Sequence, residues 1–173
     1  MIKKKARMEK KRRIRWFREA GKVLLMVFAV TIALDQWNSR DIPETEIPPV
    51  IARTLSAQSV DLIAMSKDQP VILYFWATWC QGCKFVTPTV NWLSDTYPVV
   101  SVALASGPDT RLQRYMATHG YQFDTINDNQ GNYSQSWGIR VTPSIVIIKD
   151  GKIRGITTGI TTPIGLLARL WLA

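Results

Sequence analysis

WATWCQGCK, residues 76–84, holds the only two cysteines of the 173-residue chain, three positions apart and directly after the apolar run VILYFW. The run is rich in β-formers and short enough for one buried strand. The segment after it has helical spacing at Phe85, Val86, Val90 and Leu93, with Pro88 inside as a predicted kink. The pair therefore stands at a strand-to-helix junction. There the unpaired amides and the positive end of the helix dipole favour a thiolate at Cys80, and Cys83, one turn on, can reach back to resolve a mixed disulfide.

Other chemistries of a C-x-x-C pair fit less well. Haem attachment requires a histidine at position 84, where Lys84 stands. A structural zinc site needs four ligands, and the chain offers no third cysteine and one histidine, His119, near a predicted helix end. No metal site and no role for His119 are assigned. A purely structural disulfide closes too small a loop to contribute much chain entropy. A Cu(I)-binding thiolate pair remains a rival, without a methionine or histidine cluster beside it.

Working outward, a helix is expected over SAQSVDLIAMSK, with Val60, Ile63, Ala64 and Lys67 in phase. PVVSVALAS reads as a second buried strand. DTRLQRYMATHG reads as a helix with Asp109 as N-cap and Gly120 as terminator. FDTIND and NYSQSWG read as a short strand and a short helix. SIVIIKDGKIRGITT reads as a hairpin turning on Asp150-Gly151, and TPIGLLARLWLA as a closing helix. The sum is an α/β domain, a mixed sheet with helices on both faces, over residues 54–173.

Charge is distributed unevenly. Residues 1–22 carry eleven basic residues against two acidic ones, which accounts for the whole formal charge of +9, and residues 23–173 carry eleven of each. A neutral body argues against a nucleic-acid binder. The basic tail precedes twelve uncharged residues, VLLMVFAVTIAL (23–34), flanked by Trp16, Phe17 and Trp37. This predicts a transmembrane anchor over 23–37, the span beginning as early as residue 16. A signal peptide is the competing reading, but the only small-x-small triplet, Thr31-Ile32-Ala33, lies inside the apolar run. Either way the 1–22 tail stays cytoplasmic and the body is exported. Residues 38–53, with Pro43, Pro48 and Pro49 among acidic residues, read as a linker.

FWATWCQGC after a core strand, Pro88 five residues past the second cysteine, and Val141-Thr142-Pro143-Ser144 some sixty residues later resemble the thioredoxin superfamily. Asn127-Asp128-Asn129-Gln130-Gly131, Trp137-Gly138-Ile139 and Lys149-Asp150-Gly151-Lys152-Ile153 are similar to its membrane-anchored TlpA-like branch, the suppressor-of-copper-sensitivity D type in particular. The resemblance implies a thioredoxin fold with a short β-α insertion behind an N-terminal transmembrane helix. It implies Cys80 as attacking and Cys83 as resolving thiol, a cis Thr142–Pro143 peptide, and a substrate surface of Trp79, Gln81, Gly82, Thr142 and Pro143. Trp76 is as readily a core aromatic. No cofactor is implied beyond the Cys80–Cys83 disulfide itself.

The implied setting is a single-pass protein of the inner membrane with its catalytic domain in the periplasm. Its implied partners are exported proteins with cysteine thiols or disulfides and a polytopic membrane thiol reductant as electron donor, in copper tolerance or cytochrome c maturation. Two positions depart from the family pattern. Tyr74 stands where thioredoxins proper have a buried aspartate, and Val86 where TlpA-like reductases often have a glutamate. The direction of electron flow, reductase or thiol oxidase and isomerase, stays open on these residues, and the reductase reading is preferred.

Overall fold

The computed structural model describes Glu19, Gly21, Lys22, Met26, Ile47, Pro48 and residues 52–173. The chain divides into two compact units, Met1–Trp37 and Asn38–Ala173. The described residues of the first are helical and exposed, with Lys22 Nζ 2.9 Å from Glu19 Oε1. Among the described residues no helix is long and apolar enough to cross a membrane. Most of the basic tail, of the expected anchor and of the expected linker lies outside the described residues.

In the second unit five strands form one sheet. They are β3 (Val71–Trp76), β4 (Val99–Leu104), β5 (Asp124–Asp128), β6 (Ser144–Lys149) and β7 (Lys152–Thr158), in the order β5-β4-β3-β6-β7. β3, β4 and β5 run parallel, and β6 and β7 are antiparallel to their neighbours, so the sheet is mixed. Parallel neighbours need crossovers. Helix α2 (Cys83–Leu93) joins β3 to β4, and α3 (Asp109–His119) joins β4 to β5. Two further helices, α4 (Asn132–Ser136) and α5 (Pro163–Leu172), follow β5 and β7.

β3 is buried along its whole length because it is central and covered on both faces. Alternation divides its side chains. Ile72, Tyr74 and Trp76 enter one core with Val86 and Val90 of α2, Leu112 of α3 and Leu166 and Leu170 of α5. Leu73 and Phe75 enter the other with Val100, Val102, Tyr133 and Trp137. The β6–β7 hairpin turns on Asp150 and Gly151, at φ 54° and 68°, the positive-φ pair of a type I′ turn that an Asp-Gly step allows.

Three expectations are corrected. The expected helix over residues 56–67 is not one helix. A short hairpin, β1 (Ala52–Arg53) with β2 (Ser59–Val60), precedes a single-turn α1 (Leu62–Met65). The reason is local: Asp61 accepts the Ala64 N–H at 2.9 Å and starts the turn there. β1 also takes up the last two residues assigned to the linker. Asp109 is not the cap of α3 but its first residue, after extended Pro108, and its carboxylate accepts from Asn127 Nδ2 at 2.6 Å.

Candidate active site

Chain geometry at the end of β3 builds the site. After Trp76 the chain turns rather than entering the helix at once. Cys80 N–H bonds Ala77 O at 3.2 Å, Gly82 stands at the N-cap, and α2 begins at Cys83. The turn is held from the neighbouring strand's end, where Ser106 Oγ accepts the Thr78 N–H at 3.0 Å and Ala105 O accepts Trp79 Nε1–H at 3.1 Å. Cys80 and Cys83 are joined as a disulfide with Cα atoms 5.3 Å apart, inside the range such a bond spans.

The helix start acts on the first sulfur as expected, through a particular group: Cys83 N–H points at Cys80 Sγ, 3.1 Å away. Across from it lies the loop into β6. Thr142–Pro143 is a cis peptide, and Thr142 O is 3.5 Å from Cys80 Sγ. Pro143 is buried against Gly82, where a Cβ would come to 3.2 Å from Pro143 Cδ. Cys80, Cys83, Gly82, Thr142 and Pro143 therefore form one group. In this disulfide form Cys80 is 6% exposed and Cys83 2%, both buried, with Thr142 O on one side of the Cys80 sulfur.

The other expected residues are more dispersed. Trp79 is 60% exposed at the rim, and Gln81 is exposed beside it. Trp76 is a core residue, 1% exposed, its Nε1–H donating to Ser101 Oγ at 3.0 Å. Val86 is wholly buried in the core. His119 is exposed, with Nδ1 2.8 Å from Tyr115 O, and its ring lies between those of Tyr115 and Tyr121.

Sequence reasoning missed Ile160, Thr87 and the hydroxyl of Tyr74. Ile160 follows β7 and borders Gly82, 3.6 Å from where a Cβ would stand. Tyr74 OH lies 2.8 Å from Thr87 Oγ1, which donates to Cys83 O at 2.7 Å. A threonine one turn past a helical cysteine is a weak sequence signal, since the same spacing occurs wherever a helix carries threonine. Burial pushes the Tyr74 phenol far above its usual range, so it stays protonated.

Comparison with known proteins agrees with this geometry. The AhpC/TSA family model matches residues 40–156. A "Thioredoxin-like protein" of Haemophilus influenzae is 36% identical over 154 residues, 88% of this chain and 92% of the relative. A "Thiol:disulfide interchange protein DsbE homolog" of Paracoccus denitrificans is 31% identical over 140 residues, 74% of this chain and 76% of the relative. Among solved structures, a thioredoxin-family thiol:disulfide interchange protein of Chlorobium tepidum superposes with a TM-score of 0.64 at 19% identity, covering 77% of this chain and 98% of the other, a likeness of fold. A bonded cysteine pair between a central strand and its crossover helix, on a chain so related, places this protein in the AhpC/TSA family as a thioredoxin-like protein-disulfide oxidoreductase.

Proposed function

We propose that the protein is a membrane-tethered, periplasmic reductase of disulfides in exported proteins, with Cys80 as nucleophile and Cys83 as resolving thiol. The observation that carries the exchange chemistry is the Cys83 amide 3.1 Å from Cys80 Sγ, a donor already aimed at the atom that must bear negative charge. In the dithiol form the Cys80 thiolate attacks one sulfur of a substrate disulfide. A mixed disulfide forms, and the other substrate sulfur leaves and takes up a proton. Cys83 then gives up its proton and attacks Cys80 Sγ, re-forming the internal bond and releasing the second substrate thiol. Two electrons and two protons pass to the substrate.

Trp79, Gln81 and Gly82, beside Cys80 in the chain, and the Thr142–Pro143 segment across from it serve as the substrate surface. A substrate segment in extended form pairs with the backbone of Thr142, as strands do at an open edge. The tether reading rests on the basic, apolar and proline-rich order of residues 1–53. A tether raises the local concentration of a membrane-borne thiol reductant, which must refill the pair in a compartment kept oxidising. Copper tolerance and cytochrome c maturation are the settings in which such a reductase serves.

Equilibrating residues 38–173 with glutathione buffers and quantifying thiols tests the direction. A midpoint of about −200 mV or lower is expected, and one near about −120 mV would assign the oxidase direction instead. In the same protein Cys83→Ser should accumulate mixed disulfides, and Cys80→Ser should abolish exchange.

A further inference from the structure

Beneath the disulfide lies a layer without charge. β3 contains no ionisable residue except Tyr74, and the only charge on α2 is Lys84, which is exposed. α5 contributes only Arg169, exposed, and β6 only Lys149, at its far end. α3 contributes Asp109, Arg111, Arg114 and His119, all exposed, so the titratable groups that face the layer from its side are Tyr115 and Tyr121. Among the described residues no carboxylate touches the buried face of Cys83.

Hydrogen counting fixes the direction of the bonds that are there. Thr87 has one hydroxyl proton and spends it on Cys83 O, so the 2.8 Å contact with Tyr74 is donated by the phenol. The chain runs Tyr74 O–H to Thr87 O–H to Cys83, and its members are 0%, 1% and 2% exposed. Cys83 O has a second donor in the helical backbone, so it loses nothing essential if the Thr87 hydroxyl turns away. Thr87 is four residues after Cys83, and both face the same buried core.

We propose that Tyr74 and Thr87 are positioning residues for the resolving step, a paired hydroxyl donor that turns from the Cys83 carbonyl to the Cys83 sulfur when the disulfide opens. The Thr87 hydroxyl then donates to the Cys83 thiolate as it attacks the mixed disulfide, and the Tyr74 hydroxyl strengthens that bond by donating to Thr87. Neither hydroxyl ionises. The proton lost by Cys83 goes through water to the departing substrate thiolate, so both protons and electrons balance as in the exchange above. Stabilising a thiolate by neutral donors needs no buried base beside Cys83, and the buried carboxylate among the described residues, Asp128, is instead bonded to the Tyr133 and Ser134 amides. This inference rests on the exchange role of the cysteine pair.

The test isolates each sulfur. In a Cys80→Ala protein of the full chain, the pH at which Cys83 is half-alkylatable by iodoacetamide should rise by about one unit on Thr87→Val, equivalent to about tenfold less thiolate at neutral pH. Tyr74→Phe should shift it in the same direction by less, and Thr87→Ser, which keeps the donor, should restore it. In a Cys83→Ala protein the Cys80 profile should not move. A midpoint is insensitive to accessibility, so a pair serving only to fill the core would change thermal stability and leave every midpoint in place. Superimposable Cys83 profiles, or equal shifts at both sulfurs, would overturn the proposal. Failure of the parent protein to exchange with any protein disulfide would instead overturn the exchange reading on which it stands.

Discussion

Gly82 has an ordinary helical conformation, φ −61° and ψ −33°, so backbone freedom is not what its position demands. Space is. A methyl group there meets the Pro143 ring at 3.2 Å and Ile160 at 3.6 Å, and the proline is buried and rigid. Alanine gains about 0.4–1 kcal/mol from a stiffer unfolded chain, while overpacking of this kind costs about 1–3 kcal/mol. Gly82→Ala should therefore lower stability by about 1 kcal/mol and slow exchange by displacing the Thr142 loop. Urea unfolding together with an insulin-reduction assay checks both, and a variant as stable and as fast as the parent would contradict the contact. At this scale the sequence reveals chemistry carried by neighbours in the chain, such as Cys80 with Cys83. It does not reveal a Tyr74–Thr87 bond, which exists only once α2 lies on β3.

Elements follow the same division. β3, β4, the Asp150-Gly151 hairpin and the Gly120 terminus of α3, at φ 67°, are legible because each is set by a run of a few adjacent residues. The two-residue strands β1 and β2 are not, since a run that short has no period and is held by pairing alone. α4 shows an intermediate case. Five residues do not make a stable helix by themselves, and Gly131 before them offers no side chain. Asp128, buried at the end of β5, supplies the cap from a distance: its two oxygens accept the N–H groups of Tyr133 at 3.1 Å and Ser134 at 2.7 Å. Asp128→Ala leaves both amides unpaired in a buried place and should cost about 2–3 kcal/mol, with Asp128→Asn costing less. A thermal midpoint unchanged in the alanine variant would show that α4 is held by packing alone.

Over the whole molecule the buried phenols give stability an alkaline limit. Burial moves the ionisation of both Tyr74 and Tyr133 to higher pH, so near pH 10 the unfolded chain releases protons that the folded one keeps. The folded state then binds more protons, and stability, complete below about pH 10, falls above it by up to about 1.4 kcal/mol per pH unit for each tyrosine. Denaturant titrations of the disulfide form between pH 9 and 11.5 should show this decline, flatter in Tyr74→Phe, and a level profile would contradict it. The molecule also manages its borders. The Leu55 amide, between β1 and β2, donates to Thr125 O of β5 at 2.8 Å and so occupies part of the outermost strand's free edge. An open strand border invites joining to another copy of the chain. Residues 52–60 carry none of the thiol chemistry, yet by covering part of that border they limit the edge left for a neighbouring molecule to join.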